Sequence, residues 1–117
     1  MRLGDFEVGL DVKDIAASFR FYDALGFRVV GGSVEQRFLA VENGDCRLAL
    51  YQGHLDPAET QLIFWQGDVE AIARKLEGRG VAFERPPARH DDGGVGALLR
   101  DPDGHPIYFV NMPGGGE

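Results

Sequence analysis

The chain has a single cysteine, Cys46. One thiol closes no intrachain disulfide and builds no thiolate metal cluster, and its apolar neighbours mark Cys46 as a buried strand residue. No apolar run approaches the roughly 20 residues that a membrane helix requires. The N-terminus has no series of basic, apolar and small residues of the kind a signal peptide carries. No membrane partner is therefore expected, and the expected location is cytoplasmic. Basic residues are also scarce: 12 Lys and Arg face 19 Asp and Glu, for a formal net charge of −7. Phosphates would be repelled by that balance, so nucleic acid is not an expected partner. At 117 residues the chain is long enough for one domain, 1–117, whereas pieces of half that length would bury too little surface to be stable apart.

What the chain does have is an internal repeat. Phe6 to Val12 alternates apolar and polar residues, Lys13-Asp14 breaks the pattern, Ile15 to Leu25 has helical spacing, and Gly26-Phe27 turns back. Fifty-four positions later the order recurs with no gap. Leu62 to Gln66 is the strand, Gly67-Asp68 the turn, Val69 to Arg79 the helix and Gly80-Val81 the return. Repeats fix architecture, so this one predicts two similar modules. Asp14 and Asp68 stand where a carboxylate accepts from the free amides of a helix's first turn. Gly26 and Gly80 stand where a left-handed residue ends it.

Each helix is followed by three predicted strands. In the first half these are Phe27 to Val30, stopped by Gly31-Gly32; Gln36 to Val41; and, after an Asn43-Gly44-Asp45 hairpin turn, Cys46 to Tyr51. In the second half they are Val81 to Glu84, Gly96 to Arg100 and His105 to Asn111. Between the first two lies Arg85 to Gly94, whose Pro and Gly content predicts a loop. The expected organisation is α+β, two β-α-β-β-β modules: module 1 about 5–52, a linker 53–60, module 2 about 61–111, and a Gly-rich tail 112–117. The period of two in the first strand places Val8, Leu10 and Val12 against the helix and leaves Glu7, Gly9 and Asp11 on the other face.

Val12-Lys13-Asp14-Ile15, Phe21-Tyr22, Leu25-Gly26-Phe27 and Asp101-Pro102-Asp103-Gly104-His105-Pro106-Ile107 resemble the vicinal oxygen chelate superfamily, over roughly Phe6 to Val110. That group includes glyoxalase I, extradiol dioxygenases, fosfomycin-resistance enzymes and bleomycin-resistance proteins. The resemblance implies paired modules whose curved sheets enclose a cavity, and a homodimer. It also implies four ligand positions in metal-dependent members, one on the first and one on the last strand of each module. Here they fall on Glu7, Ala49, Gln61 and Tyr108. Only Glu7 and Gln61 offer good oxygen donors. Ala49 offers none, and a neutral phenol binds divalent cations poorly. Two donors fall short of a catalytic zinc or non-haem iron set, so no metal cofactor is expected, with Glu7 and Gln61 as its ligands if there is one.

The histidines do not complete such a set. His54 falls in the linker, His90 in the Pro/Gly loop, and His105 after the Asp-Pro-Asp-Gly turn, where it reads as a turn residue. The remaining cavity-face residues describe a small-molecule pocket: Glu7, Asp11, Arg47, Tyr51, Gln61, Trp65 and Tyr108. Trp65 and Tyr51 offer flat faces, and Glu7 and Asp11 offer negative charge. Opposite Glu7, Arg47 offers a salt-bridge partner. The leading expectation is a small-molecule-binding protein of the bleomycin-resistance kind. The alternatives are a glyoxalase-type lyase or isomerase with a divalent ion at Glu7 and Gln61, and a metal-free enzyme with Glu7 as general base.

Overall fold

The computed structural model describes residues 1–112; the tail residues 113–117 predicted above lie outside them. The chain forms two compact units, Glu7–Gln61 and Met1–Phe6 together with the chain from Leu62 onward. Element order is β1 (Asp5–Asp11), α1 (Ile15–Ala24), β2 (Arg28–Ser33), β3 (Phe38–Asn43), β4 (Cys46–Tyr51), β5 (Gln61–Trp65), α2 (Val69–Glu77), β6 (Arg85–Arg89), β7 (Val95–Arg100) and β8 (Pro106–Asn111). The order strand, helix, three strands thus occurs twice.

In the unit Glu7–Gln61 the strands lie in the order β2-β3-β4-β1, antiparallel except for the parallel pair β4 and β1. One face of this sheet packs on α1. Ile15, Leu39, Val41 and Leu50 are buried there, with Leu10, Val12, Phe19, Tyr22, Phe27 and Leu48 around them. In the other unit the order is β5-β8-β7-β6, again with one parallel pair, β5 and β8. Its core joins Val69, Ile72, Ala97, Leu99 and Phe109. Of the apolar alternation read in the first strand, Leu10 and Val12 pack against the cluster under α1, whereas Phe6 is exposed.

The helix ends repeat bond for bond. Asp14 Oδ1 accepts from Ala17 N at 3.2 Å, and Asp68 Oδ1 from Ala71 N at 3.0 Å. At the C-termini Phe27 N donates to Tyr22 O and Val81 N to Leu76 O, each at 3.0 Å, while Gly26 and Gly80 hold φ of 98° and 83°. These are Schellman closures, and they need a residue free to adopt positive φ. The first helix has one further support. Gln52, after β4, places its Oε1 2.9 Å from Ile15 N and accepts a bond that the local sequence does not supply.

Three expectations are corrected. The first concerns β2 and β3. β2 continues through Gly31-Gly32 to Ser33, with an irregularity between Val29 and Gly31, and β3 begins at Phe38 and not at Gln36. Glycine stops a strand only when the chain turns, and here it lets the strand bulge. The second concerns the region after α2. Residues 81–84 are not a strand, and Arg85–Arg89 is one, where a loop was predicted. Pro86 and Pro87 are tolerated because β6 is an edge strand and they fall where its register shifts, between Arg85 and Ala88. The third concerns Cys46, which is exposed because it sits in the hairpin end opposite Asn43.

Replacing either cap, Asp14→Ala or Asp68→Ala, is expected to lower unfolding free energy by about 1 kcal/mol. Urea denaturation followed by circular dichroism measures this, and an unchanged midpoint in both variants would contradict the capping role.

Candidate functional site

Within the unit Glu7–Gln61, the register sets which side chains share the face turned away from α1. Gly9 pairs with Ala49, Asp11 with Tyr51, Ala40 with Ala49 and Glu42 with Arg47. Small residues floor this face: Ala40 and Ala49 are fully buried. Over them runs a line of alternating charge. Arg47 Nε donates to Glu7 Oε2 at 3.2 Å, and Arg47 Nη1 to Glu42 Oε2 at 3.3 Å. Arg28 lies 3.6 Å from the other Glu42 oxygen. Glu7 retains 6% of its exposure and Gln61 1%. A buried carboxylate is costly unless paired, and the guanidinium supplies the pairing. Burial still outweighs it, so the Glu7 carboxyl is pushed above the ordinary glutamate range despite the opposing pull of Arg47.

Gln61 is held by Nε2, which donates to Pro57 O at 2.8 Å. Its buried Oε1 has no hydrogen-bond partner among the described residues. A buried amide oxygen left unpaired costs free energy, and a ligand donor would recover it. Tyr51 meets Phe38 in a tilted ring pair, centroids 5.0 Å apart, and Asp11 at the strand end is exposed.

In the other unit, Ile63 pairs with Tyr108, Trp65 with Val110 and Leu98 with Tyr108, all on the face turned away from α2. Burial raises the Tyr108 phenol above its usual range, with Arg85 pulling it down and Asp92 pushing it up. Tyr108 is therefore a neutral donor throughout the physiological range. Gly96 opens room for it: a β-carbon at 96 would collide with Tyr108 Oη and come within 2.9 Å of His90 Nε2 and Cε1.

Each residue predicted for the site thus lies on the face turned away from its helix or at that face's margin. Two participants were missed. Glu42 was legible as the hairpin partner of Arg47 across Asn43-Gly44. His90 was assigned to a loop, and only the glycine at 96 hinted at what approaches it. His54 contacts the Gln36 carbonyl at 3.1 Å on the surface. His105 is the turn residue expected, its Nδ1 2.8 Å from Asp101 Oδ2.

The donors can be tested for fit to a divalent ion. At the four positions given by the resemblance stand a carboxylate engaged by a guanidinium, a methyl group, an amide and a neutral phenol. That set does not fit a catalytic metal centre. Asp101, Asp103 and His105 bring their ligand atoms within 4.8 Å of one another. The Asp101 oxygens, however, already accept from Asp103 N, His105 N and His105 Nδ1, which is turn chemistry and lowers the Asp101 pKa.

The raised Glu7 pKa gives a pH dependence of known sign. The folded state binds this proton more tightly than the unfolded state. Glu7 therefore contributes most below the ordinary glutamate pKa of about 4.3, and that contribution is lost as pH rises through the folded value. In urea titrations from pH 4 to 8, the stability of Glu7→Gln relative to the native chain should rise with pH. A flat difference would contradict it. Arg47→Met, which strips the buried carboxylate of its partner, should destabilise more at neutral pH than Glu42→Gln does.

No curated protein matches the chain. Solved structures do. One is described as an NAD-dependent benzaldehyde dehydrogenase from Legionella pneumophila. It aligns with a TM-score of 0.77 at 23% identity, over 92% of this chain and 98% of the other. A glyoxalase/bleomycin resistance protein/dioxygenase superfamily member from Vibrio splendidus 12B01 aligns at 0.63 and 19%, over 92% and 97%. Hypothetical protein BH1468 from Bacillus halodurans C-125 aligns at 0.69 and 17%, over 99% and 97%. At these identities the likeness is one of fold. The model of the Glyoxalase/Bleomycin resistance protein/Dioxygenase superfamily matches residues 6–109, and the chain belongs to that superfamily.

Proposed function

We propose that the protein binds a small organic molecule on the sheet faces turned away from its helices, as a non-catalytic binder of the bleomycin-resistance kind. The carrying observation is the buried polar group left unsatisfied there: Gln61 Oε1, without a partner among the described residues, on a side chain 1% exposed. Polar groups buried beside small and aromatic residues are the ordinary makeup of a ligand site. In the unit Glu7–Gln61, Tyr51 supplies flat apolar surface and Arg47 and Glu7 a charged pair; on the corresponding face of the other unit, Trp65 supplies flat surface and Tyr108 a neutral hydrogen-bond donor. The donor set argues against the lyase or isomerase reading with a divalent ion at Glu7 and Gln61. The proposal includes a homodimer in the cytoplasm, which sedimentation and cell fractionation test directly.

Trp65 is the single tryptophan, so its fluorescence reports on the face of β5 turned away from α2. Titration with a panel of aromatic metabolites and drugs should find at least one compound that changes the emission saturably, by the same amount with and without chelator. Binding abolished by chelator and restored by added nickel, zinc or manganese would overturn the proposal in favour of the metal-dependent reading.

One observation favours a second reading, a metal-free enzyme. Glu7 is a carboxylate whose pKa is raised by burial, which suits a general base. In that case Glu7→Gln should abolish turnover of a ligand while leaving its affinity within a few-fold. Parallel loss of both would count against Glu7 as base.

A further inference from the structure

The unit that begins again at Leu62 sets Tyr108 beside a histidine, His90, that the proposed binding surface does not use. Tyr108 on β8 lies across β7, and its Oη rests over the α-carbon of Gly96. The imidazole of His90, just beyond the end of β6, leans onto the same point, with Nε2 and Cε1 both 2.9 Å from where a β-carbon would be. Two atoms that close to one point are neighbours. Gly96 is itself buried under them, and no other residue type leaves room for both rings. The backbone positions His90 as well: its N donates to Gly94 O at 2.7 Å, and its O accepts from Gly93 N at 2.9 Å. That tight turn fixes the residue from which the imidazole projects. The charges that act on the phenol are Arg85, on the strand leading to His90, and Asp92, in the turn after it.

A phenol and an imidazole converging on one spot, with a guanidinium acting more strongly on the phenol than the one carboxylate, Asp92, make two hydrogen-bond donors beside a cation. We propose that His90 and Tyr108, seated together by Gly96, form the recognition site for an acidic oxygen on the ligand: a phenolate, enolate or carboxylate. The pair receives the oxygen while the flat body of the ligand lies toward Trp65, which is two residues along β5 from Ile63, the partner of Tyr108. This inference rests on the binding function proposed above and names the chemistry that function would select. Hydrogen bonds to an ionised acceptor are stronger than neutral ones, so the pair discriminates by charge as well as shape.

The test uses the full chain and two probes of similar size, 4-nitrophenolate and 4-nitrotoluene, in equilibrium dialysis at a pH where the phenol is ionised. The phenolate should bind about tenfold or more tighter, the scale of one charge-assisted hydrogen bond. His90→Ala and Tyr108→Phe should each remove most of that preference, weakening phenolate binding by a larger factor than nitrotoluene binding. The double variant should lose less than the two single losses combined, because the pair acts together. Gly96→Ala is the sharpest variant. The obstacles to its new methyl group are the tips of two flexible side chains, so the chain folds while the pair is pushed apart, and the preference should fall.

Equal affinity for both probes, or an undiminished preference in His90→Ala, would overturn the inference and leave the binding function standing. Absence of binding by either probe would overturn the inference, and failure of the Trp65 panel as well would overturn the binding function with it. A ligand-free measurement stands apart from these. A nuclear Overhauser contact between the His90 imidazole and Tyr108 ring protons should be present in the native chain and lost in Gly96→Ala, and its absence from the native chain would by itself overturn the pair.

Discussion

In each half of the chain the first strand lies parallel to the last, and most of what has been described depends on that constraint. A helix and two antiparallel strands must intervene before the chain can return alongside β1 or β5, which is the long crossover that parallel neighbours demand. The return sets register across residues distant in sequence: Val8 beside Leu48 in one half, Ile63 beside Tyr108 in the other. Because side chains alternate, one register choice fixes two faces together. Leu10 and Leu50 go to the helix, and Glu7, Arg47 and Ala49 go to the opposite side. A slip of one residue would send Glu7 into the hydrocarbon beneath α1.

That opposite face is an uneasy one. Its charges alternate Glu7, Arg47, Glu42, Arg28, so each group has an opposite neighbour, yet Glu7 is buried deeply enough that pairing does not restore an ordinary carboxylate. Gln61 is buried with one end satisfied and the other without a partner among the described residues. Cores do not retain such groups for stability, since an apolar residue of similar volume would serve at least as well. The free energy they cost is what a ligand able to complete them can recover.

Much of the scaffold was legible because its signals are local and occur twice. Asp14 and Asp68, Gly26 and Gly80, and the apolar faces of β1, β4, α1 and α2 all follow from spacing and from conformational limits that need no knowledge of the rest of the chain. What escaped was set by tertiary context. Pro86-Pro87 argues for a loop unless it is known that the strand is at an edge. Gly31-Gly32 argues for a stop unless a bulge can absorb it. His90 is the exposed loop residue expected, but nothing adjacent in sequence announces its approach to Gly96 beside Tyr108, eighteen positions on and two strands away. The candidate site was read as a face, and its individual pairings needed coordinates.

The two prolines of β6 have an effect beyond their tolerance there. A strand at the end of a sheet offers unused amide donors to any other strand that drifts near, and chains that leave such donors open invite growth into aggregates. Residues 86 and 87 have no N–H to offer, and the shifted register beside them bends the ladder. At those two positions the border withholds its donors by covalent structure, without relying on charge. Lateral addition of a strand at this border would meet two consecutive residues that can donate nothing to it.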